Sequence, residues 1–126
     1  MRAGDLRAAR EAGHAAERVV RSERERFVAD VALGDVLVQA GDLAGAKARF
    51  DESLKVSEQL AEQNPGSAEA QRDVWVSMWR LANMEGGGVT WVQVLKRMEA
   101  MKARGVMLPT DEPFLKKART LAAQHA

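Results

Sequence analysis

The chain has 126 residues, 46% hydrophobic and 29% charged, which is the balance of one folded domain rather than of a disordered or membrane-spanning chain. It has no cysteine, so disulfides, thiol nucleophiles and thiolate metal sites are excluded, and 19 Lys and Arg against 18 Asp and Glu give no global basic field for nucleic acid. No stretch reaches the roughly 20 apolar residues of a membrane span, and residues 1–7 lack the apolar run of a secretory signal, so a cytoplasmic protein without membrane partners is expected.

Prolines at 65, 109 and 113 and glycines between apolar runs divide the chain into helical lengths, and no segment alternates like a strand. The first predicted helix spans 5–21, with Leu6, Ala9, Ala12 or Gly13, Ala16 and Val20 on one stripe. Ser22-Glu23-Arg24-Glu25 has the S-x-x-E form of a capping box, so a second helix is expected to start there. It carries Phe27, Val31, Leu33, Gly34, Leu37 and Ala40, with Val28, Val36 and Val38 on other faces, and so needs cover on two sides. Gly41-Asp42 ends it, and a third helix over 43–62 presents Leu43, Ala46, Phe50, Leu54 and Ala61. Asn64-Pro65-Gly66-Ser67 reads as a turn with Ser67 as the next N-cap. The fourth helix, 68–85, has Val74, Met78, Leu81 and Ala82 on one side and Trp75 and Trp79 on another; Gly86-Gly87-Gly88 stops it. The fifth, 90–103, carries Trp91, Val94, Leu95, Met98 and Met101 as core, and Gly105 is expected to be its left-handed cap. Thr110-Asp111-Glu112-Pro113 opens a sixth, bearing Phe114, Leu115, Ala118, Leu121 and Ala122. The expected fold is all-α, with six helices and five short connections.

Charge is uneven along these helices. Residues 31–70 hold 3 basic and 7 acidic side chains, and 71–126 hold 9 and 5. Such an asymmetry could steer a charged partner, but solvated helix faces are the expected reading.

The chain also repeats itself. Gly4-Asp5-Leu6-Arg7-Ala8-Ala9 and Gly41-Asp42-Leu43-Ala44-Gly45-Ala46 share the form G-D-L-x-x-A, 37 residues apart. Leu33-Gly34-Asp35-Val36-Leu37 aligns with Leu81-Ala82-Asn83-Met84-Glu85 at an offset of 48, which also places Ala46 on Val94 and Phe50 on Met98. Leu33-Gly34 with Leu37, Ala46 with Phe50, and then Pro65 follow most of the pattern W-x2-L-G-x2-Y, A-x3-F, P, so the sequence resembles the tetratricopeptide repeat. Asp30 stands where that pattern has tryptophan, and Leu37 where it has tyrosine. The longer form, with L-A-E-Q-N-P and then Q-R-D-V at 71–74, is similar to the extended repeats of bacterial arrays related to kinesin light chains. The resemblance covers about residues 4–104. It implies a right-handed α-solenoid with a partial repeat at 1–21, a repeat at 22–66, a degenerate repeat at 67–105 and a capping helix at 106–126. The opening half-repeat is expected to belong to the C-terminal part of a longer array; the other reading is that another chain covers it.

Signals for catalysis are weak. His14 and His125 lie near opposite ends of the chain without a ligand set, and the nucleophile-elbow, phosphate-loop and zincin motifs are missing. Gly86-Gly87-Gly88 is followed only by Thr90 and reads as a turn rather than a phosphate cradle. Asp51-Glu52 and Asp111-Glu112 are adjacent acids that point apart on a helix, so they are expected at the surface and at caps. Lys96, Arg97, Lys102, Arg104, Lys116, Lys117 and Arg119 form a basic cluster, but no exposed aromatic interleaves them for base stacking, which argues against nucleic acid.

No enzyme activity, small-molecule substrate, cofactor or metal is therefore expected. In tetratricopeptide domains the first helix of each hairpin lines a concave groove that holds a peptide or helix of a protein partner. By position, the resemblance implies Val28, Val31, Asp35, Val38 and Gln39 from the second predicted helix, and Trp79, Arg80 and Asn83 from the fourth. Asp35 and Asn83 are equivalent one repeat apart, and Trp79 reads either as a groove anchor or as packing against a neighbouring helix. The expectation is a protein-interaction scaffold; the alternative is a self-associating module, a homodimer formed through its uncovered N-terminal helix.

Overall fold

The structure is a computed structural model and describes the backbone of residues 3–125, with side chains at 18, 19 and 21–125. Its elements are α1 (Ala3–Gln39), α2 (Leu43–Gln63), α3 (Ala68–Ala82), α4 (Trp91–Ala103), a 3-10 turn (Pro109–Asp111) and α5 (Glu112–Gln124). Among the described residues there is no strand. The all-α expectation holds, with one correction: among the described residues there are five α-helices rather than six, because the two predicted before Gly41 are a single helix of 37 residues. Ser22 caps nothing. No glycine or proline lies between Gly13 and Gly34 to stop a helix, and an S-x-x-E sequence is compatible with a helix interior when no break precedes it.

The other boundaries follow local chemistry. Asp42 accepts from the Gly45 amide and Ser67 from the Ala70 amide to cap α2 and α3. Thr90 and Gln93 close a reciprocal capping box on α4. Gly41, Gly86, Gly88 and Gly105 have positive φ, so the chain reverses after α1, α3 and α4 through left-handed residues. Gly87 is required for a different reason: a Cβ there would collide with the Leu81 carbonyl. Asp111 departs from its expected cap role. It makes no side-chain cap bond and is buried, where the Arg72 guanidinium donates to both of its carboxylate oxygens at 3.1 and 2.9 Å.

Each helix packs against the next in chain order. Between α1 and α2, Gly34 allows close approach, since a Cβ there would enter the Phe50 ring. Phe27, Val56 and Leu60 fill one end of this contact, with Val31 of α1 and Val76 of α3 against them. Ala46, Phe50 and Leu81 join α2 to α3, beside a buried hydrogen bond of 2.8 Å between the Ser53 and Ser77 hydroxyls. A larger core of Trp75, Trp91, Val94, Met98, Met101, Leu115, Ala118 and Ala122 unites α3, α4 and α5. Two pairs matched by the 48-residue offset share environments, Ala46 with Val94 and Phe50 with Met98, all buried, whereas Leu33 is exposed and its match Leu81 is fully buried.

Candidate functional site: the cleft between α1 and α3

The C-terminal turns of α1 and α3 border an open cleft of about 560 Å³. Six of the eight residues singled out from sequence line it: Asp35, Val38 and Gln39 from α1, and Trp79, Arg80 and Asn83 from α3. Val36, Phe50 and Met84 complete the lining and were not anticipated as site residues. Phe50 is signalled only as core, and Val36 only as an extra apolar face, so neither pointed to a cleft. Val31 is withdrawn into the contact with Phe27, Val56, Leu60 and Val76. Val28 is exposed on α1, seven residues before Asp35 and away from the cleft lining.

The helices are held at this distance by charge as well as packing. Arg80 donates from Nε and Nη2 to the two Asp35 oxygens at 3.1 and 3.2 Å, a parallel fork across the cleft floor. Both side chains remain partly exposed, so the fork is a positioning contact of small energy. Further along the same pair of helices, Arg24 of α1 bonds the buried Asp73 of α3 at 3.1 Å and Glu69 at 2.8 Å. Burial pushes the Asp73 carboxyl above its ordinary value of 3.8, against the opposing pull of Arg24.

Trp79 packs against its neighbouring helices and also lines the cleft. Its ring lies edge-on to Trp91 at 4.8 Å and near-perpendicular to Phe114 at 5.9 Å, while its remaining surface borders the cleft. Phe114 departs from the expected core stripe of the last helix: it is 43% exposed and leans on Trp75 and Trp79. Arg72 lies over the Trp75 ring at 5.2 Å while it grips Asp111, so α5 is docked on α3 by one cation and three rings.

Four of the seven basic residues near the C-terminus are engaged within the chain. Lys102 pairs with Glu112, Arg119 with Glu99, Arg97 donates to Gln71, and Arg104 to the Pro65 carbonyl. Among the described residues, no group of three or more His, Cys, Asp or Glu side chains could hold a metal ion. No described helix is long and apolar enough to cross a membrane. No protein-family model, curated protein or solved structure matches the chain.

Proposed function

We infer that the chain is a non-catalytic interaction module: stacked tetratricopeptide-like hairpins in a right-handed α-solenoid, capped by α5, that hold a peptide or helix of a protein partner. The observation that carries this reading is the convergence on one cleft of the Trp79 ring, the Asp35–Arg80 fork and the exposed amides of Gln39 and Asn83. These groups come from α1 and α3, the first helices of successive hairpins. Trp and Arg are the side chains that most often dominate interface energies. The two amides can donate to and accept from a peptide backbone. Helices already held by packing and ion pairs incur no ordering cost on binding.

Peptide libraries panned on the purified chain test the reading. Selected binders should lose affinity about tenfold or more on Asn83→Arg, which fills the cleft from an exposed position and leaves helical circular dichroism unchanged. Arg80→Ala should weaken the same binders. Libraries yielding only binders indifferent to both changes would refute the cleft as the site.

A further inference from the structure

Arg24, Val31 and Asp35 turn one side of α1 toward α3. The opposite side carries Val19, Ser22, Arg26, Ala29, Leu33 and Val36, spaced alternately by three and four residues, the repeat that lets one helix lie along another. All six are exposed, Val19 and Val36 at 61% and Leu33 at 39%. Of the six only Val36 borders the cleft, so this surface is distinct from the proposed peptide site.

Helix α2 extends the same surface. Ala48, Glu52, Lys55 and Gln59 follow the same alternation and stand on the side of α2 away from Phe50 and Ser53, which meet α3. Ala48, Lys55 and Gln59 are exposed and Glu52 is partly so. A shallow groove of about 350 Å³ runs between the two stripes, bordered by Val19 and Arg26 from α1 and by Glu52, Lys55 and Gln59 from α2, and joins them into one open face.

We propose that two copies of the chain pair through this face, α1 against α1 and α2 against α2, both antiparallel about one two-fold axis. On α1 the pairing sets Val19 against the partner's Val36, Ser22 against the partner's Leu33 and Arg26 against the partner's Ala29, all centred between Phe27 and Val28. The bulk of Leu33 falls on a serine, and the aliphatic stem of Arg26 falls on an alanine. On α2 it sets Glu52 against the partner's Lys55 and Ala48 against the partner's Gln59, centred between Ser53 and Leu54. The two centres stand at the same height, because Arg26 bonds Glu52 and Phe27 packs on Val56. A single axis therefore serves both helix pairs, as an isologous contact requires.

Charge selects this register. Slipping the pairing by one layer sets Ala48 against Glu52, or Lys55 against Gln59, and the opposite charges no longer meet. In the centred register each Glu52, already held by Arg26, meets a Lys55 of the other copy, and the contact is made twice. These ten side chains per copy are fewer than the roughly 20–30 of a standard interface, so the dimer should dissociate on the order of 10–100 μM.

Sedimentation velocity on the purified chain between about 1 μM and 1 mM spans that equilibrium. Leu33→Asp, at an exposed position, should raise the dissociation constant about tenfold or more while helical circular dichroism stays unchanged. Glu52→Lys and Lys55→Glu should each weaken pairing about fivefold or more, since each sets like charges together twice. An equimolar mixture of these two variants should restore it, because both contacts in the mixed dimer again join opposite charges. The chain has no cysteine, so Ser22→Cys combined with Leu33→Cys reports geometry without background. The two positions are about 16 Å apart along one helix, beyond disulfide reach, and mild oxidation should yield a covalent dimer. A monomer throughout the concentration range overturns the proposal, as does a dimer that the mixed charge variants fail to restore or that the paired cysteines fail to link.

Discussion

At Gly34 two opposing preferences meet on a single atom. Alanine is favoured over glycine in a helix interior by about 1 kcal/mol, but here the added methyl would enter the Phe50 ring, itself fully buried between α1, α2 and α3. Forcing extra volume into a packed contact costs about 1–3 kcal/mol, so Gly34→Ala is expected to destabilise, with a lower midpoint in urea. A higher midpoint would show that α1 and α2 are further apart than described. Asp73 carries a different kind of prediction. Its pKa is raised in the folded protein, chiefly by burial, so the folded state binds its proton more tightly than the unfolded state. The stabilisation is complete below the ordinary carboxylate value and is lost as pH rises through the raised one. Asp73→Asn removes this dependence, so the variant should gain stability relative to the parent as pH increases across that window. Denaturant titrations at several pH values check the sign; a gain as pH falls would contradict it. The spacing of Leu33-Gly34 with Ala46 and Phe50 made the first of these residues legible in advance. The burial of Asp73 and Asp111 was not, because it depends on which arginine reaches across from another helix.

Among the elements, α5 is the one held by identifiable side chains rather than by area alone. Arg72 grips the buried Asp111 at the entry to α5, and Phe114 leans on Trp75 and Trp79 from its first turn. Arg72→Ala leaves an unpaired buried carboxylate, which costs on the order of 3 kcal/mol, and the consequence is local: amide exchange across 112–124 should accelerate ahead of that in α2. Uniform acceleration throughout the chain would mean that α5 does not open separately. Helices α2 to α5 were legible to within a few residues, since glycines with positive φ, Asp42, Ser67 and the 110–113 run mark their ends chemically. Helix α1 was misjudged at its middle. A capping motif permits a helix start without compelling one, and the run between Gly13 and Gly34 contains nothing that would end the helix before Ser22.

For the molecule as a whole, the continuity of α1 changes what residues 5–21 can do. As a folded-back helix, residues 5–21 would cover the face that now carries exposed Leu33; as part of one 37-residue helix, they run on past the hairpin instead. The cleft is likewise a property of the assembly: Asp35 and Arg80, 45 residues apart, meet only because α1 and α3 lie side by side with α2 behind them. Composition, apolar periodicity and the two internal offsets were enough to determine an all-helical chain, most of its helix ends and the alignment of Asp35 with Asn83, because these depend on neighbours within a few residues or on copied sequence. Tertiary structure alone decided that α1 is unbroken, that Val31 is core while Trp79 serves both core and cleft, and that Phe114 lies outside. Each of those outcomes turns on which surface another helix happens to cover, and a one-dimensional pattern records that a face is apolar without recording what lies against it.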